Sequence, residues 1–139
     1  MIDLIKLWFK RAVPNPTPRN QAVQMGVHIE EFVEMLDQLN SVDGNTIDLV
    51  HREAEYFKHV IPDITVADRV TLLDSLCDQI VTATGVAHML GMDIEGALKE
   101  VNRSNWSKFD DDGNPLFDKN GKIKKGPNYT PPDLSGYIR

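Results

Sequence analysis

Apolar positions recur at helical spacing through most of the chain. Ile2, Leu4, Ile5, Trp8 and Phe9 make one broad face and predict a first helix from Ile2 to about Ala12. Pro14, Pro16 and Pro18 end it, because proline removes a backbone donor and restricts the residue before it. Val23, Val27, Phe32, Met35, Leu36 and Leu39 predict a second helix from about Arg19 to Leu39, followed by a turn over Asn40–Asn45 that contains Asp43-Gly44. A third helix is expected from about Thr46 to Val60, stopped by Pro62. The fourth, from about Val66 to Leu90, is the longest and most apolar, through Val70, Leu72, Leu73, Leu76, Ile80, Val81, Val86 and Ala87. Gly91 suits its C-terminal cap, and Asp93 the N-cap of a short fifth helix to about Asn102.

The pattern changes after Ser107. Asp110-Asp111-Asp112-Gly113-Asn114 and Asp118-Lys119-Asn120-Gly121 are turn formers around two short runs, Pro115-Leu116-Phe117 and Lys122-Ile123-Lys124. Gly126-Pro127, Pro131-Pro132 and Gly136 read as an extended arm. The expected architecture is all-α: a bundle of four to five helices with a small C-terminal β-hairpin or flap and an extended tail. One domain over 1–139 is expected, with a helical core over about 1–107 and a basic flap and tail over about 108–139.

Composition narrows the functional classes. The 139 residues are enough to bury a core, and no stretch approaches the ~18 apolar residues that cross a bilayer. The charged, short segment Ile2–Phe9 does not read as a signal peptide. The single cysteine, Cys77, suits a reducing compartment, so a cytoplasmic location is expected, the host's cytoplasm if the chain is phage-encoded. A net charge of −6 argues against binding a nucleic-acid polymer. Residues 1–98 carry 15 acids and 7 bases, residues 99–139 carry 6 acids and 8 bases. An acidic helical part followed by a basic tail suits an anionic ligand bridged by metal.

The carboxylates carry the clearest candidate chemistry. Glu31 and Glu34 lie three apart on one face of the second helix, with Glu30 one turn from Glu34. Asp74 and Asp78 lie four apart on the fourth helix, among its apolar residues. If the two helices face each other, four carboxylates converge, and such a cluster stays ionised only around a cation. Oxygen-only ligands favour Mg²⁺, with Mn²⁺ possible. Asn105 and Lys108, at the end of the fifth helix, can contact a base, sugar or phosphate. Lys122–Tyr129, including Lys124, Lys125 and Tyr129, forms a basic, glycine-hinged segment able to close over phosphates.

Other patterns fail. Asp110-x-Asp112-x-Asn114 begins like a calcium loop, but Pro115 stands where glycine is needed and Gly121 where the bidentate glutamate belongs. Phosphate-loop and zinc-ribbon patterns are absent. His51, Glu55 and His59 share a helical face, which reads as exposed polar surface.

Taken in order, Glu30-Glu31-x-x-Glu34, Leu73-Asp74-Ser75-Leu76-Cys77-Asp78, Glu100-Val101…Ser104-Asn105…Ser107-Lys108 and Gly121-Lys122…Lys125…Tyr129 resemble the all-α nucleoside triphosphate pyrophosphohydrolases, in particular their short MazG-like, phage-type branch. The resemblance implies Mg²⁺ held by Glu31, Glu34 and an ExxD pair, and hydrolysis between the α and β phosphates. The ExxD aspartate falls on Asp78, but Ser75 stands where the glutamate belongs, and Asp74 is the expected substitute. Glu30 and Glu34 are the candidate bases; Asn105, Lys108, Lys124, Lys125 and Tyr129 are the candidate substrate contacts. A homodimer or homotetramer is expected from the apolar content of the fourth helix together with Trp8 and Phe9. The rival reading is a non-catalytic helical module that keeps the pocket to bind a nucleotide or a protein.

Overall fold

The computed structural model describes residues 1–138, in which five helices follow one another: α1 (Ile2–Ala12), α2 (Pro18–Leu36), α3 (Gly44–His59), α4 (Arg69–Met89) and α5 (Ile94–Trp106). A single 3-10 turn, Ser135–Tyr137, lies near the end. The fold is all-α. No helix of the described residues is long and apolar enough to cross a membrane.

Local capping chemistry explains where the helices begin. The Thr17 hydroxyl accepts from the Asn20 amide at 3.1 Å and the Asn20 side chain accepts from the Thr17 amide at 3.0 Å, so α2 starts at Pro18. Asp68 accepts from the amides of Val70 at 2.8 Å and Thr71 at 3.2 Å, so α4 starts at Arg69, three residues later than hydropathy suggests. At the other end Gly91 has φ +72°, and its amide and that of Met92 reach back to the carbonyls of His88 and Ala87. This is a Schellman stop, which needs the left-handed conformation that glycine adopts without strain.

Two expectations are corrected. The fifth helix runs to Trp106, a full turn beyond Asn102, because Ser104 and Ser107 direct their hydroxyls to backbone carbonyls and Trp106 packs edge-on against Phe109 at 5.3 Å. The expected C-terminal β-hairpin is absent as such: the described residues contain no strand, only an isolated bridge between Phe117 and Ile123. The runs are three residues long and Pro115 has no amide to donate. The Asp118 carboxylate also takes the amides of Asn120 and Lys122, winding the chain into a tight loop. Asp110 does the same to the amides of Asp112 and Asn114, so the two aspartate-to-glycine stretches are versions of one loop, closed by Gly113 and Gly121 at positive φ.

The chain divides into two compact units, each drawn from separated stretches of sequence. One combines Asn15–Thr65 with Phe117–Ile123 and is built on α2 packed along α3. The start of α2 lies against the end of α3, where Arg19 donates to the carbonyls of Phe57, Lys58 and Ile61. Those of Phe57 and Lys58 are last-turn carbonyls that lack an intrahelical partner, that of Ile61 lies just past the helix, and a cation there also complements the helix dipole. Buried Ala22, Gly26 and Ala54 let the helices approach closely: a Cβ on Gly26 would come within 2.8 Å of the Ala54 carbonyl oxygen and of the Lys58 amide nitrogen.

The other unit comprises residues 1–14, 66–116 and 124–138. Within it α5 touches α1, α4 and the 3-10 turn. Trp8 stacks on Phe109 at 5.8 Å and donates its indole N–H to the Asn105 carbonyl at 2.9 Å, which pins α1 to the end of α5. Ala12, Ala87 and Ser104 complete a small interior. The tail is not a loose arm. Arg103 donates to the Thr130 hydroxyl and the Pro131 carbonyl, Ser104 to the Thr130 carbonyl, and Glu100 accepts from the Asp133 amide at 3.0 Å.

Candidate functional site

Each predicted site residue has a definite place. Glu30, Glu31 and Glu34 lie on α2, in the α2–α3 unit. Asp74 and Asp78 lie on α4 in the other unit, with Asn105 in the last turn of α5, Lys108 just beyond it, and Lys124, Lys125 and Tyr129 in the segment that follows. Among the described residues, no three His, Cys, Asp or Glu side chains are gathered where one metal ion could be held.

Glu30 is the most engaged of the acids. Its two oxygens take the Lys58 ammonium at 2.5 Å and the Lys122 ammonium at 2.8 Å. Partial burial pushes its pKa up, but the hydrogen bonds and charges of Lys122 and Lys58 outweigh that and hold the carboxyl below the usual range. Lys58 is itself buried and also bonds Glu55 at 2.5 Å, and its pKa is raised: burial lowers it, and the two carboxylates more than reverse this. Glu55 takes His59 as well, at 3.1 Å, so two members of the His51, Glu55 and His59 face pair with each other. The pairing of Glu30 with Lys58 and Lys122 escaped sequence reasoning because they lie 28 and 92 residues from Glu30. The one available signal was Lys58, placed by helical spacing one turn from the buried Ala54.

Glu31, Glu34, Asp74 and Asp78 are exposed. Among the described residues no cation pairs with Glu34, Asp74 or Asp78. The Ser75 hydroxyl, at the position of the missing glutamate, turns back onto its own helix and donates to the Thr71 carbonyl at 2.9 Å.

The segment that carries Lys124, Lys125 and Tyr129 runs beside the end of α5, where Asn105 and Lys108 lie. The Gly126 amide donates to the Lys108 carbonyl at 3.1 Å, and the Thr130 amide to the Ser107 hydroxyl at 2.9 Å, which fixes the 124–130 segment beside Lys108. The Lys108 ammonium lies 5.9 Å from the centre of the Trp8 ring, and the Lys125 ammonium 4.7 Å from that of Tyr129. Glu100, Arg103, Ser104 and Ser107 hold the tail. The Arg103 bidentate pair and the Asp133 amide depress the Glu100 pKa to about 2.

No protein-family model, curated protein or solved structure matches the chain.

Proposed function

We propose that the chain is a Mg²⁺-dependent hydrolase that cleaves a nucleoside or deoxynucleoside triphosphate to the monophosphate and pyrophosphate. The observation that carries this reading is the gathering of Lys108, Lys125 and Tyr129, with Asn105 one turn away on α5, at a single place in one unit. Cationic, amide and aromatic groups in that combination suit a triphosphate, a sugar and a base. The motif resemblance supplies the reaction type.

The donor set fits a hard cation. Glu31 with Glu34, and Asp74 with Asp78, offer oxygen ligands only, in pairs one helical turn apart. These are the carboxylates to which the motif resemblance assigns Mg²⁺, or Mn²⁺ in its place, two in each unit. When bound, the ion supplies charge neutralisation on the triphosphate and a more acidic water. The chain's own residues bind and orient: Lys108, Lys124 and Lys125 hold phosphate oxygens, Asn105 a sugar or base edge, and Tyr129 an aromatic face. Of the two candidate bases Glu34 is favoured, because Glu30 is bound by two ammonium groups that lower its affinity for a proton. The working form is a homodimer or a dimer of dimers, and the lone exposed cysteine suits a reducing cytoplasm.

A second reading, a non-catalytic module that binds a nucleotide or protein, is favoured by one observation: the Ser75 hydroxyl is spent on Thr71 and adds no ligand. One experiment separates the two. The eight common nucleoside and deoxynucleoside triphosphates are incubated with the protein and Mg²⁺, following pyrophosphate release and, by calorimetry, binding. Release that needs Mg²⁺ and is lost in Glu34→Gln supports the hydrolase. Binding without release selects the module, and neither binding nor release refutes both.

A further inference from the structure

The most apolar helix of the chain, α4, is also the most exposed helix of its unit. Along α4 only Ala87 is buried, and Leu72, Leu76 and Gly85 are half-buried. Val70 is 79%, Leu73 64%, Ile80 53% and Val81 66% exposed. The interior of the chain offers these residues little: no large side chain among the described residues is completely buried.

The exposed residues are ordered. Val70, Leu73, Cys77, Ile80 and Thr84 follow one another at intervals of three, four, three and four. That spacing is the seam of a two-helix coiled coil, whose knobs pack into the holes of an identical stripe. Val81 lies beside the seam, as does Asp74 at its rim.

We infer that this stripe is the contact between two copies of the chain, packed α4 against α4 about a two-fold axis. The area agrees. The four aliphatic exposures amount to about two and a half whole residues, each somewhat smaller than the roughly 150–250 Å² of an aromatic, or on the order of 400 Å² of apolar surface. Exposed Cys77, Thr84 and His88 share that face. They extend the apolar stripe toward the ~800 Å² that each partner contributes to a standard interface. A two-fold axis maps the stripe onto itself, so its midpoint meets its own copy. The midpoint between Val70 and Thr84 is Cys77, the only cysteine of the chain. An α4 pair is called for by this surface whether or not the protein hydrolyses nucleotides.

Sedimentation of the full chain at micromolar concentration, with and without a short bis-maleimide, tests this. The wild type should sediment at twice the 15.7 kDa chain mass and cross-link through Cys77 to a covalent dimer, and no cross-link should form when the reagent is added in denaturant. Leu73→Glu with Ile80→Glu should give a monomer of unchanged helix content, since both side chains are exposed within one chain. Met89→Glu, off the stripe, should leave the dimer intact. A wild-type monomer, a dimer that does not cross-link at Cys77, or a folded double variant that remains dimeric each overturns the inference. The wild-type cross-link decides the matter even if the double variant does not fold.

Discussion

Adding one methyl group should have opposite effects at two helical glycines of this chain, and the structure gives the sizes. Replacing glycine by alanine inside a helix gains about 1 kcal/mol from backbone entropy and propensity. At Gly85, within α4, nothing lies within 4 Å of the new Cβ, so Gly85→Ala should keep roughly 0.5–1 kcal/mol of that gain. At Gly26 the Cβ meets the Ala54 carbonyl oxygen and the Lys58 amide nitrogen at 2.8 Å, both backbone atoms that cannot rotate away. The α2–α3 pair must then separate, and overpacking of this kind costs about 1–3 kcal/mol, near the upper end where backbone resists. Net destabilisation of Gly26→Ala is therefore about 2 kcal/mol. For a chain of this length, about 3 °C per kcal/mol puts its melting temperature some 6 °C below wild type, with Gly85→Ala about 2 °C above. Calorimetry at one fixed protein concentration measures both, which keeps any assembly equilibrium constant. If Gly26→Ala is as stabilising as Gly85→Ala, the close approach of α2 and α3 is refuted.

Asp74→Asn should remove most Mg²⁺-dependent pyrophosphate release while Ser75→Ala is nearly silent; wild-type turnover in Asp74→Asn across a magnesium titration would falsify a metal-binding role for Asp74. Because the folded pKa of Glu30 lies below its ordinary 4.5, the stabilisation from its lysine pairs is complete above pH 4.5 and is lost as pH falls through the folded value. Denaturant titrations against pH should therefore show a shallower acid limb in Glu30→Gln, and an unchanged limb counts against the Lys58–Glu30–Lys122 arrangement. Glu100 behaves likewise, its contribution being present above 4.5 and fading as pH falls toward about 2. The Asp133 amide should then exchange faster with solvent at the acid end, and in Glu100→Gln at neutral pH; equal protection in wild type and variant argues against the tail clamp.

Helix identity was legible in the sequence because it rests on local physics. The apolar period, the prolines after α1, the Asp93 cap and the Gly91 stop each act within a turn or two of chain, and α1 came out with its expected bounds. Boundaries moved where a side chain captured a nearby amide or carbonyl, as Thr17 and Asp68 do, or where distant residues intervened, as at α5. The acidic pairs were legible as well, since three- and four-residue spacing alone puts Glu31 with Glu34 and Asp74 with Asp78. Tertiary structure alone decided the rest. It bound Glu30 to two lysines far away in sequence, made Glu100, Arg103 and Ser104 anchors for the tail, and left Val70, Leu73 and Ile80 at the surface. Periodicity says that a face is apolar and must be covered; which surface covers it depends on how the whole chain packs.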